Sequence, residues 1–105
     1  MSWREHILEA HLAVTEDVRY SEYMESDRYF VWQDDGRRDL VADNIHAEKV
    51  VLGTTDLFTK KEFDPWAEEL EAAFDASPYI SWKQNSKQYE EDTGFYHHEW
   101  RWEVI

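Results

Sequence analysis

The chain has no cysteine. Disulfides, thiolate metal sites and a cysteine nucleophile are therefore excluded, and the composition fits a reducing compartment. Glycine and proline are also scarce, at three and two residues in 105. Long flexible linkers are not expected, and a single domain over residues 1–105 is. Cations are few: 11 Lys and Arg stand against 24 Asp and Glu, a net charge of −13. Binding a nucleic-acid backbone requires cationic side chains that displace counterions, so such a surface should repel DNA. The acidity suits a solubilising role, a basic partner, a DNA mimic, or a surface that DNA passes without sticking. No run approaches the roughly 18 apolar residues of a membrane span. The opening MSWREHILEAHL places acids and histidines where a secretory signal needs an unbroken apolar stretch. An intracellular protein, soluble when made, is expected.

Aliphatics are thin as well. Leu, Ile, Val and Phe make up 22 of the residues, close to the range where highly charged chains stay disordered. What is abundant instead is the large aromatics, with six Trp and six Tyr. Each such side chain buries about 150–250 Å², so a folded core built of aromatics is expected.

The order of elements follows from periodicity. Residues 2–14 are predicted helical, with Ser2 as N-cap and Glu5 completing a capping box. Trp3, Ile7, Ala10 and Val14 share one face, flanked by Leu8 and Leu12. Residues 18–24 are ambiguous, a short edge strand at most. Residues 28–34 (RYFVWQD) are a strand, which Asp35-Gly36 should end in a turn. Residues 37–44 are expected to be a loop or a protruding hairpin. Residues 45–58 give a long strand whose Val50-Val51-Leu52 centre is apolar on both faces, and Gly53 suggests a bulge. Residues 64–76 are the clearest helix, with Asp64 as cap, Pro65 at the first position and a Trp66-Leu70-Ala73-Phe74 stripe; Ser77-Pro78 ends it. Residues 79–89 and 95–105 read as a terminal hairpin around the polar turn Glu90–Gly94. In its second arm Tyr96, His98, Trp100, Trp102 and Val104 alternate with His97, Glu99, Arg101 and Glu103. The predicted fold is α+β, an antiparallel sheet of four to five strands with two helices packed on one face. Trp32, Val50, Tyr96, Trp100 and Trp102 should form the buried sheet face, with Trp66, Leu70 and Phe74 over it. Asp35, Gly36, Arg37, Arg38 and Asp39 are the expected interface loop.

Few residues point to catalysis. Neighbours on a strand face opposite ways, so His97 and His98 cannot share an ion. His97 with Glu99, or His46 with Glu48, offers only two ligands where a stable zinc site needs three or four. His97 is expected beside charged neighbours, and His98 packed beside tryptophans. Close carboxylate pairs (Glu16-Asp17, Asp34-Asp35, Glu68-Glu69, Glu90-Glu91-Asp92) are expected by chance in so acidic a chain. No HExxH, GxSxG, P-loop or GxGxxG spacing occurs. No catalytic residue, metal or cofactor is assigned, and a non-enzymatic protein is expected. Large aromatics in a small, highly charged chain, with a long central strand, suit a domain completed by neighbouring subunits.

The run QYEEDTGFYHHEWRWEV (88–104) resembles the C-terminal hairpin of tail-terminator or tail-completion proteins of tailed phages and prophages. Those chains end in an acidic turn, a Thr-Gly-aromatic start to the last strand, and alternating aromatics. KVVLGTTDLFTKKEFDPWAEELEAAFDA (49–76) is similar to their long strand, short link and helix. The stretch 35–44 is short beside the protruding loops of some members. The resemblance implies a virion protein, located at the tail or neck, that forms a ring, hexameric in the family, at the head-proximal end of the tail. Such a ring stops growth of the tail tube protein and docks the head–tail connector proteins, and DNA passes through its lumen unbound. Alternatives are another head–tail connector or minor tail protein, or an acidic DNA-mimic inhibitor of the anti-restriction or anti-CRISPR type.

Overall fold

The capping box expected at Ser2 forms. Its hydroxyl accepts from the Glu5 N–H at 3.4 Å while the Glu5 carboxylate accepts from the Ser2 N–H at 3.5 Å, and helix α1 runs Trp3–Leu12. The computed structural model describes residues 2–42 and 45–105, with side chains described outside 39–48. After α1 come β1 (Val18–Tyr20), β2 (Arg28–Ala42), β3 (Ile45–Thr59), α2 (Pro65–Ala76), β4 (Ile80–Glu90) and β5 (Phe95–Val104). Asp64 caps α2 by accepting the Trp66 N–H at 2.9 Å.

The five strands form one sheet in the order β1-β2-β3-β5-β4. It is mixed rather than purely antiparallel: β1 lies parallel to β2, Val18 opposite Phe30 and Tyr20 opposite Trp32. A parallel neighbour obliges the chain to travel back along the strand before pairing. Because β1 is so short, residues 21–27 suffice for that return. They carry Tyr23 and Met24 onto the sheet face away from the helices, where Tyr23 meets Phe58 edge-on.

Both helices cover the other face, over Phe30, Trp32, Val51, Leu57, Trp100, Trp102 and Val104. Aromatics supply five of its twelve buried residues, the largest among them. Trp66 stacks on Phe30, and His11 packs edge-on against both Phe30 and Phe74. Three indole N–H groups in it find acceptors: Trp102 on Thr55 Oγ1, Trp100 on Glu71, Trp82 on Asp75, at 2.7–2.9 Å. Two acids of α2 are thus structural acceptors rather than free surface charge.

Several expectations need correction. Val50 is buried, but the register places it on the opposite face from Val51, which is the residue that joins the helix-covered core. Tyr96 is half-buried against Tyr89 and outside both core clusters. Leu8 and Leu12 are exposed; the inner position on that side of α1 belongs to His11, fully buried. Gly53 is not itself bulged. A Cβ there would collide with the Trp102 ring, which packs directly on the backbone, and the bulged residue is Asp35, between the pairs Asp34–Gly53 and Gly36–Leu52.

Asp35-Gly36 is therefore no turn. β2 continues to Ala42, so Asp35, Gly36, Arg37, Arg38 and Asp39 are strand residues and not a loop. Of that expected interface the Asp39 side chain lies outside the described residues, as do the His46 and Glu48 side chains. The protruding-hairpin alternative describes the outcome. β1 pairs with β2 only as far as Trp32 and β5 with β3 only as far as Val51. Beyond these points the two long strands pair only with each other among the described residues. The molecule measures 50 Å along its longest axis against 24 and 21 Å across.

Candidate functional site

The face away from the helices offers the polar chemistry. Cross-strand partners in an antiparallel sheet share a face, so the register lays out its rows. Tyr29, Phe58 and His97 form one row, then Val31, Asp56 and Glu99, then Thr54, Arg101 and Lys83, then Leu52, Glu103 and Ser81. Tyr29, Val31 and Phe58 form a small buried cluster closed by Met24 and Phe95. The last two rows carry the exposed side chains of Ser81, Lys83 and Arg101.

His97 sits where these regions meet. Its ring stacks on Phe58, and Nε2 lies 2.7 Å from Asp56 Oδ1 and Nδ1 3.4 Å from Glu90 Oε2. The Asp56 hydrogen bond and the two carboxylate charges hold its pKa above the ordinary histidine range, against the opposing effect of burial. A protonated His97 is thus an ionic clasp joining β3 to the β4–β5 turn. His98 points the other way, as alternation requires. It is buried, stacks on Trp100, and has neither ring nitrogen hydrogen-bonded among the described residues. Burial, then the nearby Lys87 charge, push its pKa down. Among the described residues no group of three or more His, Asp or Glu is placed to hold a metal ion.

The open rows form a groove of about 650 Å³ lined by Asp35, Thr54, Ser81, Lys83, Arg101 and Glu103. The Lys83–Arg101 pair was missed in the sequence for a definite reason. Counting back from the Glu90–Phe95 pair at the turn, Arg101 should oppose Gln84. A bulge between Gln84 and Ser86 shifts the register by one and brings Lys83 opposite Arg101 instead. The sequence signal would have been Asn85 in the polar run Gln84–Ser86.

The expected core residues Trp32, Trp66, Leu70, Phe74, Trp100 and Trp102 do come together under the helices. The expected interface residues divide between the groove and the arm. Asp35 accepts from Thr54 Oγ1 at 2.5 Å, and Arg38 donates to Glu103 at 2.6 Å, tying the arm's base to β5. The surface presents two strand edges on the arm that are unpaired among the described residues, a charged groove at its foot, and exposed Tyr20, Tyr23, Phe63 and Tyr89 around the body. No helix among the described residues is long and apolar enough to cross a membrane. Comparison of the chain with protein-family models and with curated proteins found no match in either.

Proposed function

We propose that the chain is a non-enzymatic virion assembly subunit, a tail terminator or tail-completion protein that forms a ring at the head-proximal end of a phage tail. The observation that carries the reading is the free-standing arm of β2 and β3. A row of N–H and C=O groups, unpaired among the described residues, on each side of a projecting hairpin is a template for strand addition by another chain. In a small domain such an arm is economically explained if a neighbouring subunit covers it. The resemblance of residues 49–76 and 88–104 to that family supplies the kind of assembly. The charge of −13 suits a lumen through which DNA slides without adhering.

In this reading the ring caps the tail tube protein and presents its other side to the connector proteins. The test combines native mass spectrometry and electron microscopy of the purified chain, alone and with tail tubes, with deletion of the gene in its phage. Rings with a central hole, and over-long or headless tails after deletion, are expected. A monomer that leaves tail length untouched and competes with DNA for a nuclease overturns the reading in favour of an inhibitor.

A further inference from the structure

We infer that the far-face groove is one half of a head-to-tail interface between copies of this chain, and that it takes the acidic turn Glu91-Asp92 of the next copy. The inference rests on the assembly reading above and names a contact that would build the assembly.

It starts from Lys83 and Arg101, directly opposite each other on one face. Opposed like charges destabilise a sheet. A chain with 24 acids and 11 bases had carboxylates to spare for this place. Those nearby are engaged elsewhere. Glu103 accepts from Arg38, Asp35 from Thr54 and Gln33, and Glu99 from Asn85. Neither Lys83 nor Arg101 has an ion-pair partner among the described residues, and both are exposed. Two adjacent unpaired cations in a concave site are an anion-binding spot on an otherwise repelling molecule.

The complementary surface is on the same hairpin, at its other end. Glu90 of the turn is engaged by His97 and Thr93, whereas Glu91 and Asp92 are exposed and bond to nothing among the described residues. A hairpin tip is narrow and convex, and the groove is concave. Since the tip and the groove lie at opposite ends of β4 and β5, one molecule cannot join its own two halves. Contact between them is heterologous, repeating from copy to copy until a ring closes or a filament extends.

Charge reversal provides a decisive test, read by sedimentation velocity at low ionic strength. The wild-type chain should associate, and added salt should weaken it. Lys83→Glu/Arg101→Glu and Glu91→Lys/Asp92→Lys should each, alone, associate at least ~10-fold more weakly. A 1:1 mixture of the two variants should regain association, because every contact in an alternating assembly is then between opposite charges. A small anion bound in the groove would give no such rescue. Either variant associating like the wild type, or a mixture that stays dissociated, overturns the interface. If the wild type associates and none of these changes affects it, the interface falls while the assembly reading stands. A wild-type chain monomeric at every concentration, even with tail tubes, removes both.

Discussion

Thr55 holds the centre of the molecule with a single hydroxyl. Its Oγ1 accepts from Trp102 Nε1 at 2.9 Å and donates to His11 Nε2 at 3.0 Å, while His11 Nδ1 donates to the Ile7 carbonyl at 2.7 Å. The chain of bonds fixes the neutral His11 tautomer and links α1, β3 and β5 through fully buried groups. Thr55→Val keeps the shape and removes the hydroxyl. It leaves a buried indole N–H and a buried imidazole nitrogen without partners, which costs about 2–4 kcal/mol. Urea unfolding should show the loss, and Thr55→Ser should recover most of it. The same histidine sets a pH dependence. Burial lowers its pKa to about 4, despite the backbone bond to Ile7, from 6.5 in the unfolded chain. The neutral form is the one the fold keeps. Stability is therefore intact above pH 6.5 and declines as pH falls towards 4, by about 3 kcal/mol in total. His98 acts in the same direction. His97, raised by Asp56, acts oppositely: its contribution is full below pH 6.5 and is lost as pH rises through its folded pKa. Urea midpoints measured from pH 7 to pH 4 should fall for the wild type, and His11→Gln should flatten that slope by about one proton. An unchanged slope would show that His11 is not the group responsible.

At the scale of elements, Asp64 connects helix to sheet. It caps α2, accepts from Thr59 Oγ1 at 2.7 Å, and receives two bonds from the Arg28 guanidinium, which lies 3.7 Å over the Trp66 ring. Burial opposes its charge, but the bonds from Arg28, Thr59 and the Trp66 N–H outweigh that and hold its carboxyl below the usual range. Asp64→Ala removes the cap and strands the Arg28 and Thr59 donors, so a loss of about 2–3 kcal/mol is expected in thermal or chemical unfolding. The cap was legible because Asp-Pro-Trp with an i, i+4, i+7, i+8 stripe fits only a helix start. The terminal hairpin was legible because Tyr96 to Val104 keeps strict alternation, and Gly94, at φ 76°, takes the left-handed conformation its place in the turn requires. The inner role of His11 was not legible, since a histidine and two leucines compete for one helix face and only the Thr55 hydroxyl decides between them. Nor was β2 beyond Asp34, because Asp-Gly reads as a turn until a bulge absorbs it. The mixed sheet escaped for a related reason. Three residues, Val18–Tyr20, carry too little periodicity to reveal a direction.

At the scale of the whole molecule, the body and the arm are separable on energetic grounds. Among the residues whose side chains are described, the helix-covered core draws on β2 up to Trp32 and on β3 from Val51 onward. A two-stranded hairpin standing alone is marginally stable in water. Its retention therefore needs a reason outside the monomer, which the assembly reading supplies. Replacing residues 39–49 by a two-residue Asn-Gly turn would join Arg38 to Val50, already opposite each other, in a hairpin geometry that such a turn favours. The Arg38–Glu103 pair and the buried aromatics would be untouched. The shortened chain should keep its near-ultraviolet circular dichroism and unfold within about 1 kcal/mol of the wild type, since none of the described core residues is removed. It should associate more weakly than the wild type in sedimentation, with only the groove–turn contact left, and fail to cap tail tubes. A shortened chain that assembles and caps like the wild type would leave the arm without an assembly role, and one that unfolds would show the arm to be part of the fold after all.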